Sequence, residues 1–348
     1  MRTELFTIDH LRPKFLENSE RFNDWYFTVH FKHEGKPVLA KFSLTEGSLL
    51  GQATHLSFSQ APLDLREEPD ALVMKPSSAD LSVHPNADFS FAAVEDEVRI
   101  EMGDLIAICR ADEQRLISKN EQLSADLTFR PRGPILFWNH EPGAECEVTD
   151  VTRVSGSESL SEVTGSVTVQ GQKMDVQGRG LFERVWFKAL NFFEIRWMNW
   201  IYAHFDNAYL YLCHCESTTS ENQPFHFETG DVYLELEDDL LAGTSLEVMP
   251  ETWVFFEQVR RFIPLEQSVV MRTDKGTLKL NVRLAHYPQM AQDPARLEGL
   301  TINNIPGWGS LFYDGPVTLK GKFTYKDGRV VELVDGVGIN EVIRIAPL

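Results

Sequence analysis

Cysteine is scarce in this chain: Cys109, Cys146, Cys213 and Cys215 are the only four in 348 residues. Cys213 and Cys215 are too close to bridge comfortably, so no disulfide framework is expected and a reducing compartment fits. Basic residues are also in deficit, with 33 Lys and Arg against 52 Asp and Glu and a net charge of -19. A field of that sign repels phosphate backbones and anionic bilayers, which argues against nucleic acid as a partner. Its plainest consequence is solubility. No apolar run approaches the ~20 residues of a membrane-spanning helix, so no integral membrane segment is expected. The opening MRTELFTIDHLRPKF carries charges every few residues and has no apolar stretch of signal-peptide length, and the expected location is the cytoplasm.

Chemical motifs are missing too. There is no Gly-x-Gly-x-x-Gly after a strand, no Walker A loop, no Gly-x-Ser-x-Gly elbow and no His-Glu-x-x-His. Nucleotide, nicotinamide and serine-hydrolase chemistry therefore have no basis, and no cofactor is expected. Cys213-His214-Cys215 invites a metal reading, but on a strand His214 points away from both thiols. No metal site is expected there.

What is present is β-structure. In DWYFTVHF, Trp25, Phe27, Val29 and Phe31 fall on one face, and Asp24, Tyr26, Thr28 and His30 on the other. EGKP is a turn, and PVLAKFSL returns as the second strand of a hairpin. Residues 60–90, broken by Pro62, Pro69, Pro76 and Pro85, read as loop with short strands. VRIEMG, LIAICRA, RLISKN and SADLTFRP follow at spacings of roughly ten residues, the signature of an antiparallel meander. The best helical candidate, TWVFFEQVRRFI (252–263), spans only about three turns. At this length two domains are the default.

The two halves echo each other. VTVQG then GRGLFER (178–184) matches VTLKG then GVGINEV (336–342), and DWYFTVHF can be laid on NWIYAHF (199–205), aligning His30 with His204. SADLTFRP resembles TLKLNVRL more weakly. The Gly-x-Gly pairs lead into strands rather than helices and read as bulge or turn glycines. The expected domains are residues 1–190 and 191–348.

On DWYFTVHF, SADLTFRPRGP and GRGLFERVW, the chain resembles the hydroxyneurosporene synthase (carotenoid 1,2-hydratase)/AttH-like family. That family tends to have Gly-x-Gly-Tyr-x-Asp-His-x-Trp-Gly at the last of these. Here Glu183 stands for the Asp, Arg184 for the His and Phe187 for the Gly. The resemblance implies two lipocalin-like antiparallel β-barrels in tandem, packed against each other, and activities that include hydration of hydrophobic substrates.

Several side chains are candidates for chemistry. Glu183, between Leu181 and Val185 on one strand face, and Glu341, between Ile339 and Ile343, are carboxylates in apolar settings suited to proton donation; a structural ion pair is the plain alternative. Arg184, bracketed by Phe182 and Trp186, could stack on aromatic rings or hold a substrate oxyanion. Met198, Trp200, Tyr202 and His204 share one face and, like Asp24, Tyr26, Thr28 and His30, are expected to line a barrel interior. The leading reading is a cofactor-independent enzyme that hydrates, cyclises or isomerises an isoprenoid- or polyketide-like molecule. Glu183 and His204 are its proton-transfer groups, Arg184 assists, and Trp25, Tyr26, Trp186, Trp200, Tyr202 and Glu341 bind the ligand. The alternatives are a non-catalytic carrier of lipid-like ligands and a carbohydrate-active β-sandwich. The latter needs two carboxylates across an open cleft, and the acidic run ELEDD (235–239) reads more simply as a solvated turn.

Overall fold

The computed structural model describes residues 5–18, 21–49, 52–64, 73–74, 81–84, 88–121, 123–149, 151–169, 171–189, 195–218, 223–256, 261–285 and 308–347. Helix is confined among them to one turn, α1 (Ile8–Leu11), and a 3-10 turn at Trp138–His140. The strands of the first 190 residues are β1 (Phe22–His33), β2 (Lys36–Leu49), β3 (Gln52–Asp64), β4 (Val73–Met74), β5 (Leu81–His84), β6 (Phe89–Val94) and β7 (Glu97–Met102). They continue with β8 (Leu105–Arg110), β9 (Gln114–Lys119), β10 (Leu123–Pro131), β11 (Leu136–Phe137), β12 (Cys146–Glu147), β13 (Arg153–Val169) and β14 (Gln172–Ala189). After them come β15 (Ile195–His204), β16 (Ala208–Thr218), β17 (Pro224–Leu234), β18 (Asp239–Phe256), β19 (Arg261–Thr273), β20 (Gly276–Leu284), β21 (Trp308–Tyr325) and β22 (Val330–Pro347). Pro69, Pro76 and Pro85 lie outside the described residues, whereas Pro62 falls within β3.

Two compact units result. One comprises Met1–Leu65, Ala79–Cys146 and Thr152–Leu190; the other comprises Arg66–Ser78, Glu147–Val151 and Asn191–Leu348. In the second, β17-β16-β15-β22-β21-β20-β19-β18 is a continuous antiparallel path, and β18 also pairs with β17. That last pairing closes an eight-stranded barrel. The first unit runs β5-β3-β2-β1-β14-β13-β10-β9-β8-β7-β6 without such a closing pair among the described residues. It is a curled half-barrel.

Local chemistry accounts for much of this. The β1–β2 turn places Glu34 at φ 50° and Gly35 at φ 78°, the two positive values of the tight turn that matches strand twist. The helical candidate at 252–263 is a correction: it contributes to β18 and β19, with Val254 opposite Ile263 and Phe255 opposite Phe262. Val254 and Ile263 both enter the core, so cross-strand pairing outweighs a weak helical pattern. Of the Gly-x-Gly pairs, Gly336 borders a register shift between β21 and β22, as a bulge glycine would; the other glycines are corrected. Gly178 and Gly180 lie inside β14, where an added Cβ would come within 2.1 Å of the His30 and Thr28 carbonyl oxygens respectively. Gly338 repeats this in β22 against the Tyr202 carbonyl oxygen, at 2.0 Å. Close backbone approach, rather than a turn, selects glycine.

The cores show which strand faces point inward. Trp25, Phe27, Val29 and Phe31 join the first unit's core, and Ile201, Ala203 and Phe205 join the barrel's. The expectation that Asp24, Tyr26, Thr28 and His30, or Met198, Trp200, Tyr202 and His204, line an interior is therefore reversed. They occupy the opposite faces of β1 and β15. Both faces of these strands are rich in bulky residues, and the interior took the more uniformly apolar set.

Candidate functional site

Inside the first unit, β14 places Arg184 directly between Trp25 of β1 and Ser157 of β13. The guanidinium carbon lies 4.2 Å from the Trp25 ring centroid and 5.1 Å from that of Trp186. Its nitrogens donate to the carbonyl oxygens of Arg12 and Val185, each at 2.5 Å, to that of Asp24 at 3.3 Å, and to Asn23 Oδ1 at 2.8 Å. Asn23 in turn donates to Glu46 at 2.9 Å, and Glu46 pairs with Arg21. The cation is wholly buried, and desolvation pulls its pKa down to about 9 against the opposing pull of Asp24, Cys109 and Glu46. Beside it, His10 meets Ser157 Oγ at 2.7 Å, with its ring packed edge-on to Phe137 and Trp186. Burial, and secondarily the Arg184 charge, lowers the His10 pKa to about 3, so the ring is neutral near pH 7. Trp25 Nε1 donates to the Leu11 carbonyl. This interior constellation fastens the α1 segment to the sheet, and stacking with backbone capture is what the Arg184 geometry provides.

The opposite face of the same sheet is polar. One cross-strand row runs Ser43, Tyr26, Glu183, Glu158 and Leu136 over β2, β1, β14, β13 and β11. Glu183 and Glu158 are buried, in register on adjacent strands, and flanked along their strands by Leu181, Val185 and Leu160. Trp138 Nε1 donates to Glu158 Oε1 at 3.0 Å. One row away, the hydroxyls of Ser43 and Thr45 both donate to Asp24 Oδ1 at 2.8 Å. In the other direction stand Thr28 with Lys41, then His30, whose pKa is lowered to about 4 by burial and by Lys41.

The outer face of the barrel carries three comparable rows: Glu341, Trp200, Cys213 and Thr229; Ile339, Tyr202, Tyr211 and Asp231; then Val337, His204, Tyr209 and Tyr233. Trp200 and Tyr202 stack at 6.5 Å, His204 follows at 6.5 Å from Tyr202, and Tyr211 OH meets Thr229 Oγ1 at 3.1 Å. Trp200, Tyr202, Tyr211, His204 and Asp231 are all buried.

The sequence candidates thus fall into three places. Arg184, Trp25 and Trp186 share the first unit's interior, Tyr26 and Glu183 share its polar face, and Trp200, Tyr202, His204 and Glu341 share the barrel's outer face. Sequence reasoning missed Glu158. Its signal was SGSESLS (155–161), where Ser155, Ser157, Ser159 and Ser161 take one face and leave Glu158 with Leu160 on the other. ELEDD forms the β17–β18 turn, with Tyr233 OH donating to Asp238 at 2.8 Å. All four cysteines are free and buried.

This double β architecture matches solved structures along nearly its whole length. Its fold is that of the AttH-like proteins and of kievitone hydratase. An AttH-like protein from Nitrosomonas europaea superposes with a TM-score of 0.62 at 16% identity, covering 92% of both chains. Kievitone hydratase from Nectria haematococca gives 0.65 at 12% identity, over 98% of this chain and 93% of its own. CghA, determined with Sch210972, gives 0.63 at 10% identity, over 96% and 92%. No protein-family model and no curated protein matches the sequence. The likeness is one of fold.

Proposed function

We propose that the protein is a cofactor-independent enzyme of the hydratase/cyclase type acting on a hydrophobic, isoprenoid- or polyketide-like molecule. The observation that carries this reading is the row Tyr26, Glu183, Glu158, two buried carboxylates in register with a phenol beside them. A carboxylic acid set against apolar side chains is the kind of donor that protonation of an alkene or enone requires. Glu183 delivers that proton to the substrate. Water then adds at the electron-poor carbon and its released proton returns to the carboxylate, so the catalyst is regenerated without a redox or metal partner. Cyclisation follows the same course with an internal nucleophile in place of water. The barrel's row of Glu341 and Trp200, with Tyr202 and His204 alongside, is a second candidate proton-transfer set. The kievitone hydratase fold supports the reaction class; the carboxylate row supports its assignment to Glu183.

The test begins with native mass spectrometry of protein purified from its own source, to identify a bound hydrophobic molecule. That molecule and its dehydrated or ring-opened precursors are then incubated with enzyme in 18O-labelled water. Glu183→Gln is expected to lower kcat by about 10²-fold or more, the usual yield of general acid catalysis. Equal turnover by wild type and Glu183→Gln removes the assignment. Release of the molecule unchanged by wild-type protein supports a carrier instead.

A further inference from the structure

His214 does face away from Cys213 and Cys215, but it acquires other partners. It points into the barrel, directly opposite Glu228 on β17 and Asn199 on β15. His226 lies two residues before Glu228 on the same strand face, and its ring sits edge-on to His214 with centroids 4.8 Å apart. One donor atom from each of His214, His226 and Glu228 lies within 4.8 Å of the other two. His226 Nε2 is 2.6 Å and His214 Nδ1 3.8 Å from the same Glu228 oxygen, Oε1. The carboxylate is aimed by a second contact, since Glu228 Oε2 accepts from the Leu246 backbone N–H at 2.8 Å. Glu216 lies 3.6 Å from the other nitrogen of His214, Nε2. This is the arrangement by which an outer carboxylate orients a metal-bound imidazole.

An independent observation points to a ligand here. Asn199 is 1% exposed, yet neither its Oδ1 nor its Nδ2 has a hydrogen-bond partner among the described residues. It sits on the interior face across from His214, whose buried Nδ1 is also without one. Buried polar groups in folded proteins almost always find partners. The His226–Glu228 contact satisfies neither Asn199 nor His214 Nδ1, so that ion pair alone does not explain the cluster.

We infer that His214, His226 and Glu228 form a binding site for a divalent ion of the zinc type at one end of the barrel, with Asn199 holding a water on the ion. Two imidazoles and one carboxylate are the donor set that suits zinc or cobalt rather than calcium or magnesium. Bond lengths of about 2.0–2.2 Å to zinc set ligand atoms roughly 3.3 Å apart, so the His226–Glu228 contact at 2.6 Å must open slightly while His214 closes on the pair from 3.8 Å. Side-chain rotation can supply this, because His226 is half exposed. Burial, with His226 beside it, lowers the His214 pKa, which favours the neutral ring that binds metal. The sequence signal was His226-x-Glu228, which on a strand places both side chains on one face.

The test uses untagged full-length protein stripped with a chelator, then titrated with Zn2+ against a chromophoric competitor. One ion is expected to bind per chain with micromolar or tighter affinity. His226→Asn and His214→Asn should each weaken binding by at least about tenfold, whereas His33→Asn should leave it unchanged. Cobalt in place of zinc should give visible bands of four- or five-coordinate intensity that His226→Asn abolishes. Because His226 is at the surface, its variant separates ligand loss from misfolding, which circular dichroism checks. Absence of micromolar binding, or binding that survives both variants, overturns the site and leaves a hydrated ion-pair cluster.

Discussion

His10 makes the first unit acid-labile in a calculable way. Its pKa is about 3 in the folded chain because the ring is buried among Phe6, Phe137 and Trp186 and faces the Arg184 charge. In the unfolded chain it returns to the ordinary histidine value of 6.5. Between those values the unfolded state binds a proton that the folded state refuses, so stability falls as pH is lowered through the window. Lowering the pH from 7 to 5 should cost about 2 kcal/mol through this residue alone, at 1.36 kcal/mol per pH unit once below 6.5. The full effect is present only as pH approaches 3. Other acid-sensitive groups, including His30, contribute in parallel and must be subtracted. The comparison is therefore between wild type and His10→Gln, which keeps a hydrogen-bonding side chain for Ser157 but does not titrate. Urea denaturation at several pH values, followed by tryptophan fluorescence, reports on the first unit through Trp25 and Trp186. Wild type should lose about 2 kcal/mol more than His10→Gln between pH 7 and pH 5. Identical slopes for the two proteins would refute a buried neutral imidazole at this position.

Three further outcomes follow from the packing. Gly180→Ala drives a Cβ to within 2.1 Å of the Thr28 carbonyl oxygen and should destabilise the first unit by about 1–3 kcal/mol or more, read as a lower urea midpoint. Arg184→Lys cannot reproduce the stack on Trp25 or reach all four acceptors, so a loss of about 2–4 kcal/mol is expected; unchanged stability in the same assay would contradict the fastening role. If Glu183 is the acid, Glu341→Gln should leave turnover within a few fold of wild type, and a larger loss in Glu341→Gln than in Glu183→Gln would move the chemistry to the barrel.

Several features were legible from local pattern. A residue's neighbours two positions away on a strand share its face whatever the fold does, so DWYFTVHF and NWIYAHF sorted correctly into two sets. Glu183 joined Leu181 and Val185, and His214 was separated from its flanking cysteines, for the same reason. Regular spacing of short strands announced an antiparallel all-β chain. Burial sense was not legible, because Trp25 with Phe27 and Tyr26 with Trp200 offer bulky side chains on both faces, and only competition for the interior chose between them.

What the sequence by itself determined is the alternation: which side chains travel together along each strand, and where the chain turns. The tertiary structure alone decided which strands adjoin and in what register. Register put Glu158 beside Glu183 across 25 positions, Arg184 between Trp25 and Ser157, and Glu228 opposite His214. The physical reason is that the strand period is a property of the covalent backbone, whereas register is settled by long-range hydrogen bonding and core packing. Each candidate site in this protein is made across strands, and so belongs to the second kind.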